Sequence, residues 1–208
     1  MVVALAVAVC LLALAATEPV EAAGRYKTVT KTFSNQVAIQ APDSSISTRD
    51  GVGAPYPSEV SVGGLKKGRV LDVNLQINAY NHTCAEDLDV LLVGPGGRNA
   101  IPMSDMPACS NIQGVKLTVD DEGAGSWPVP LVSGTYVPAD NDAPGNDAFP
   151  APASGGSAPP QDGAPALSAF DGTNPNGAWR LYVVDDTAGS AGLIADGWNL
   201  TIKAKVRR

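Results

Sequence analysis

The sequence is poor in the residues on which most hydrolases and zinc proteins depend. It contains a single histidine, His82, and three cysteines among 208 residues. A Ser-His-Asp hydrolase requires a histidine base beside its serine, and the chain has no Gly-x-Ser-x-Gly turn. One histidine and two cysteines of an expected disulfide cannot provide the usual ligand set of zinc. We therefore expect His82 to have a structural role in a turn, and we expect no catalytic residue.

Aromatic and charged residues are also few, at 5% and 17% of the chain, and the formal net charge is −7. The basic residues are scattered along the sequence except for one group at alternate positions near the C-terminus, a pattern typical of a solvated strand face. Nucleic-acid binding requires a concentrated basic surface, so we expect no nucleic-acid partner. The basic group consists of Lys203, Lys205, Arg207 and Arg208.

Long apolar runs are absent except at the N-terminus. Met1 to Ala16 carries no charge and is too short to span a bilayer. Small residues follow it around Val20 and Ala22, which predicts a secretory signal peptide over residues 1–22, cleaved after Ala22 or Ala23. A permanently anchored helix is the alternative. The mature chain is then expected to be secreted, without a membrane span.

Cleavage changes the cysteine count. Cys10 leaves with the signal peptide, and Cys84 and Cys109 remain. An even pair in an exported chain indicates a disulfide. Two separate thiols, or a catalytic thiol served by His82, are the alternatives.

Apolar and polar residues alternate with period two in many short segments, and no segment has a sustained helical period. Such a pattern predicts an all-β antiparallel sandwich, with a jelly roll as the favoured topology. An immunoglobulin-like sandwich is the alternative, although no tryptophan lies between Cys84 and Cys109. The strands are predicted at 28–40, 59–63, 69–80, 87–93, 100–103, 115–119 and 131–137, with two more that begin at Trp179 and Trp198. A Pro/Gly/Ala-rich loop is predicted at 138–166, too poor in apolar residues to form its own core.

Acidic residues cluster where three of the predicted strands begin or end. Carboxylates in turns are the hard oxygen ligands that Ca²⁺ prefers, so these clusters are candidate calcium ligands. Acidic residues are also common at strand ends without any ion, and this alternative stays open. The candidates are Asp87, Asp89, Asp120, Asp121, Asp185 and Asp186.

The C-terminal stretch carries a set of motifs in a fixed order. A Phe-x-Gly turn is followed by Asn-Gly-x-Trp-x-Leu, an aspartate pair, a glycine turn and a final Trp-x-Leu-x-Ile strand. This order resembles the P domain (homo B or proprotein convertase domain) of subtilisin-like serine proteases. Farther upstream, Tyr56-Pro57 and the run from Asp87 to Pro95 are similar to that family as well. The residues that carry the motif are Phe170, Gly172, Gly177, Trp179, Leu181 and Trp198.

The resemblance implies a jelly-roll sandwich of the galactose-binding-domain-like type over residues 33–205, after a lead-in at 23–32. In that family the domain follows a protease domain, packs against it and supports its folding, and some members bind calcium. Here the segment between the expected cleavage site and Tyr56 is too short for a catalytic domain. The resemblance therefore implies a secreted, non-catalytic accessory module, whose partner is a separately encoded subtilisin-like endopeptidase. The alternatives are a carbohydrate- or surface-binding module whose partner is a cell-surface glycan, and the orphaned C-terminal part of a serine endopeptidase.

Overall fold

The structure, a computed structural model, describes residues 25–43, 51–141, 147–150 and 166–208. The predicted signal peptide with Cys10, and most of the predicted loop at 138–166, lie outside the described residues and stay predictions. The described part contains twelve strands and two short 3-10 helices, at Ala85–Asp87 and Leu167–Phe170. The strands are β1 Tyr26–Asn35, β2 Ile39–Ala41, β3 Ser58–Val62, β4 Arg69–His82, β5 Leu88–Val93, β6 Asn99–Ser104, β7 Ile112–Val119, β8 Gly134–Tyr136, β9 Ala139–Asp140, β10 Gly177–Asp185, β11 Gly192–Ile194 and β12 Trp198–Arg207.

The strands form two sheets. The first sheet has the order β1-β12-β4-β11-β2, and β7 and β8 extend it from the other edge of β4. The second sheet has the order β3-β10-β5-β6-β9. All pairs are antiparallel except β6 with β9 and β7 with β8. The predicted all-β sandwich is confirmed, whereas its jelly-roll and galactose-binding-like type stays a prediction.

Apolar side chains from both sheets fill one core. Trp179 on β10 and Trp198 on β12 are both fully buried, and they come from opposite sheets. The indole N–H of Trp198 donates to Ser58 Oγ of β3 at 2.9 Å, across the core. Trp198 therefore joins the two sheets as well as filling the core between them, because a buried indole N–H needs a partner.

The alternation predicted for β4 is correct only between two irregularities. Strict alternation with Val73 and Leu75 would turn Leu71 toward the core, but Leu71 is 43% exposed and Val70 is buried instead. The cause is a β-bulge in β4 itself: Asp72 pairs with Lys203 and Val70 with the next residue of β12, Ala204, so Leu71 is an extra residue without a partner in β12. One extra residue in a strand moves the following side chains to the other face.

The single strand predicted at 28–40 is two strands. Asn35 ends β1 because its side chain accepts from the backbone N–H of Val37 at 2.9 Å, which closes a turn. The chain then crosses to the far edge of the first sheet, where β2 pairs with β11. In the described part of the chain, no helix is long and apolar enough to cross a membrane.

Candidate functional site

Three aspartates lie close together where the second sheet meets a loop. Asp89 lies on β5, Asp105 follows the last residue of β6, and Asp147 lies in a loop. Antiparallel pairing of β5 with β6 brings the strand ends together. Each of the three offers one carboxylate oxygen, and these atoms lie within 4.8 Å of one another. We call these three residues, together with Ser104, the Asp89 cluster.

Ser104 lies at the centre of the Asp89 cluster and is fully buried. Its Oγ is 2.8 Å from Asp89 Oδ1, 3.0 Å from Asp105 Oδ2 and 2.5 Å from Asp147 Oδ1. One hydroxyl has one proton to donate, so it satisfies one of these three oxygens. The other two contacts require a proton on a carboxyl group or a cation between the oxygens.

The pKa of Asp89 also indicates that the cluster needs a proton or a cation. Burial raises the pKa of Asp89 to about 9, and the charges of Asp186 and Asp147 add to the effect, while the hydrogen bond from Ser104 opposes it. At neutral pH and without a cation, the cluster therefore retains at least one proton, because like charges at this distance cannot all be ionised.

Asp185 and His82 form a second buried group, at the end of β10 and β4. Asp185 Oδ2 lies 3.3 Å from His82 Nε2, and both side chains are fully buried. This is ion-pair distance, but neither atom has a partner in hydrogen-bond geometry. Burial raises the pKa of Asp185, and the adjacent His82 partly offsets the rise. The pair is therefore a close packing contact rather than a directed hydrogen bond.

The other ring nitrogen of His82 is also occupied. Nδ1 accepts from the backbone N–H of Cys84 at 3.1 Å, so the proton of the neutral ring belongs on Nε2. The ring also packs closely against Gly192, where any side chain would collide with it. The hydroxyl of Ser190 donates to Asp87. The geometry is that of a buried structural histidine.

Asp87 and Asp89 both fall on the strand predicted at 87–93, where period-two alternation would place them on one face. Asp87 instead belongs to the 3-10 helix Ala85–Asp87, so the strand alternation does not apply to it. It faces Ser190, whereas Asp89 faces Ser104. Asp186 is exposed, and its carboxylate accepts from Thr187 Oγ1 at 3.1 Å.

The two aspartates that follow β7, Asp120 and Asp121, make contacts with different parts of the chain. Asp121 accepts from the backbone N–H groups of Leu167 and Ser168, at 2.8 and 2.6 Å, and so caps the second 3-10 helix. Asp120 accepts from Asn74 Nδ2 at 2.9 Å. Asp120 also lies within 4.8 Å of Asp72 and Glu122, by one carboxylate oxygen of each. This group is only partly buried, in contrast to the Asp89 cluster.

The motif residues of the C-terminal stretch lie in the core or in turns. Phe170 packs on Trp179 with ring centroids 4.8 Å apart, and both are fully buried with Leu181. Gly172 and Gly177 have φ values of 72° and 133°, which favour glycine. Cys84 and Cys109 are joined by a disulfide, as predicted.

Sequence reasoning identified Asp89 but missed its partners. Ser104 and Asp105 follow a short strand, and Asp147 lies within the segment predicted as a featureless loop. The only available signal was the Ser-Asp pair at a strand end, because the contact of Asp147 with Ser104 spans 43 residues. Strand pairing and the position of the loop create this cluster, and neither can be predicted from the sequence separation of its residues.

Comparisons with known proteins identify no family. No protein-family model matches the chain. No curated protein matches it. Solved structures do give matches, and one is the crystal structure of the Aeromonas sobria serine protease and chaperone complex, with 12% sequence identity and a TM-score of 0.42. The match covers 86% of this chain and 27% of that chain, so this chain spans about a quarter of the other's length. A likeness at this level carries no information on function.

Proposed function

We propose that the chain is a secreted, non-catalytic accessory module of the P-domain type, which binds and stabilises a subtilisin-like serine endopeptidase made as a separate chain. The observation that carries the proposal is the arrangement of the tail motif. Its aromatic residues pack in the core of a sandwich, and each of its two tryptophans comes from a different sheet. The motif residues of the family resemblance thus act as determinants of the fold in this chain.

The state of His82 supports a role without catalysis. A general base needs a ring nitrogen directed at the group that it deprotonates. Here Nδ1 accepts from a backbone N–H and Nε2 faces Asp185, in a fully buried site. The His82 side chain has no exposed surface, so neither nitrogen is open to a substrate in this structure.

Capture of partners from the culture medium of the source organism tests this proposal. The tagged mature chain is the bait, an unrelated β-sandwich is the control bait, and captured proteins are identified by mass spectrometry. We expect a subtilisin-like endopeptidase on the first bait alone. Capture of glycans without any endopeptidase would favour the carbohydrate-binding alternative. Hydrolysis of peptides by the pure chain, lost in a folded His82→Gln variant, would overturn the proposal.

We also propose that Ca²⁺ binds the Asp89 cluster and stabilises the fold. Ca²⁺ takes six to eight hard oxygen ligands, and the cluster offers carboxylate oxygens from Asp89, Asp105 and Asp147 beside the hydroxyl of Ser104. The cluster also has the excess negative charge that a divalent cation would neutralise. Of the six calcium ligands that the sequence suggested, we propose Asp89 as a ligand. Asp186 contributes only a nearby negative charge. Asp121 instead caps the second 3-10 helix.

Calorimetric titration of the chelator-treated chain with CaCl₂ tests the calcium site. We expect one binding event, accompanied by proton release at neutral pH because the ion displaces the protons of the cluster. The Asp89→Asn variant should lose this event, whereas Asp196→Asn, which removes an exposed carboxylate elsewhere, should retain it. Unchanged binding in the Asp89→Asn variant would contradict the assignment.

A further inference from the structure

The fold gathers basic residues that are dispersed in the sequence. Ten of the fourteen lysines and arginines lie within residues 25–31, 66–69 and 203–208, and these ranges contain no acidic residue. Strand pairing joins them, because Tyr26 of β1 faces Arg207 of β12 and Arg69 of β4 faces Lys205. The backbone N–H of Arg207 also donates to the carbonyl of Lys66 at 3.0 Å. One corner of a chain with net charge −7 is therefore strongly positive.

This corner contains a groove of about 300 Å³. Its apolar floor is formed by Val29 and Val206, and its rim is basic. In the described part of the chain none of the rim side chains has an acidic partner within ion-pair distance. We call it the basic groove, and its rim consists of Lys27, Lys31, Lys66, Arg207 and Arg208.

The backbone beside the basic groove is an open sheet edge. Among the described strands, β1 pairs only with β12, and it does so over its full length. Residues 26–32 are exposed except for the half-buried Val29. An edge strand presents a row of backbone groups that another extended chain can pair with. Gly64 leaves room for the Lys31 side chain, because a Cβ at position 64 would lie only 3.2 Å from Lys31 Nζ.

We propose that the basic groove binds an extended acidic peptide segment of a partner protein, which pairs with β1 as an added strand. Lys27, Val29 and Lys31 share one face of β1, and the two lysines lie about 13 Å apart along the strand. The matching peptide has two acidic residues four positions apart with an apolar residue midway between them. Opposite charges directly across an antiparallel pair stabilise it.

Charge also decides against a second copy of the chain as the occupant. Pairing of β1 with β1 of another copy would place lysines against lysines, and like charges in facing positions are destabilising. Inward-facing lysines on an edge strand are a known protection against such pairing. An acidic strand removes this repulsion. The proposal goes beyond the accessory role and does not depend on it, because binding of a synthetic peptide is measured without any protease.

Fluorescence anisotropy with a labelled peptide, Thr-Ser-Glu-Thr-Val-Thr-Glu-Ser-Thr, tests the proposal at low ionic strength. A rearranged peptide of the same composition, Thr-Ser-Glu-Glu-Thr-Val-Thr-Ser-Thr, places its acidic residues on opposite faces. A third peptide has the first sequence with N-methylated alternate amides, which cannot complete the strand pairing. We expect the first peptide to bind more tightly than either control, and added salt to weaken it.

Matched variants locate the binding surface. The double variant Lys27→Gln and Lys31→Gln should weaken binding of the first peptide about tenfold, as expected for two exposed ion pairs. Lys116→Gln, which removes a lysine outside the basic groove, should leave it unchanged. Equal affinity for all three peptides, preference for heparin over the patterned peptide, or an equal loss in Lys116→Gln would each overturn the proposal.

Discussion

Removing Asp89 should abolish a pH dependence that the wild-type chain shows only without calcium. The pKa of Asp89 is raised from 3.8 to about 9 by burial and neighbouring charges. The folded state then binds a proton that the unfolded state releases. The resulting stabilisation is complete below pH ~4 and is lost as the pH rises toward ~9, at about 1.4 kcal/mol per pH unit.

Between pH 5 and pH 7 the loss amounts to about 3 kcal/mol. For a domain of this size, about 1 kcal/mol corresponds to a shift in Tm of roughly 2–4 °C, so Tm should fall by roughly 6–12 °C. Asparagine cannot ionise, so the Asp89→Asn variant should lack this decrease. Millimolar Ca²⁺ should remove most of it from the wild type, since the ion stabilises the charged form that it binds.

Urea unfolding followed by circular dichroism, in EDTA and in CaCl₂ at both pH values, measures the effect. Asp196→Asn is the control and should retain the wild-type dependence, because this carboxylate is exposed. Equal pH dependence in EDTA for the wild type and Asp89→Asn would refute the electrostatic reasoning. A wild-type stability at pH 7 that Ca²⁺ does not change would refute the calcium proposal.

Other substitutions test the supports of the fold and the processing of the chain. Trp198→Phe should cost about 1–3 kcal/mol in urea unfolding, because it leaves the hydroxyl of Ser58 without the indole donor; an unchanged midpoint would contradict this role. Asp121→Ala should cost roughly 1 kcal/mol, since it removes both acceptors that cap the second 3-10 helix; thermal unfolding checks it, and a loss near zero would show the cap to be unimportant. Replacing both Cys84 and Cys109 with serine should cost about 3 kcal/mol, because the bridge spans 25 residues; equal stability of this variant and the wild type would argue against a stabilising bridge. N-terminal sequencing of protein from the medium should begin at Ala23 or Gly24, and an intact Met1 would contradict secretion through a cleaved signal.

The sandwich was predictable because its signals are local. Alternation marks β3 and β12 directly, a short apolar run marks β5, and the absence of helical periods excludes a parallel α/β fold. The face of Leu71 was not predictable, since Leu71 is the extra residue of a bulge that exists only in the pairing of β4 with β12. The three-residue strand β11 was read as a turn, because glycine at Gly192 suits a turn as well as a close approach to His82.

The sequence predicted those parts of the candidate site that are evident from a local pattern or a residue count. Asp89 was identified from its position at the start of an apolar run, and the disulfide from the cysteine count. The partners of Asp89 come from two other segments, and the spacing of residues carries no information on which loops meet. The basic groove shows the same limit, because its lysines and arginines look scattered until strand pairing brings three segments together.

The accessory role is tested most directly by the lifetime of a captured endopeptidase. The measurement is the half-life of its peptidase activity at elevated temperature, with and without an equimolar amount of the purified mature chain. We predict a longer half-life with the chain, and no peptide hydrolysis by the chain alone. An unchanged half-life, or hydrolysis by the pure chain that His82→Gln abolishes, would contradict the account.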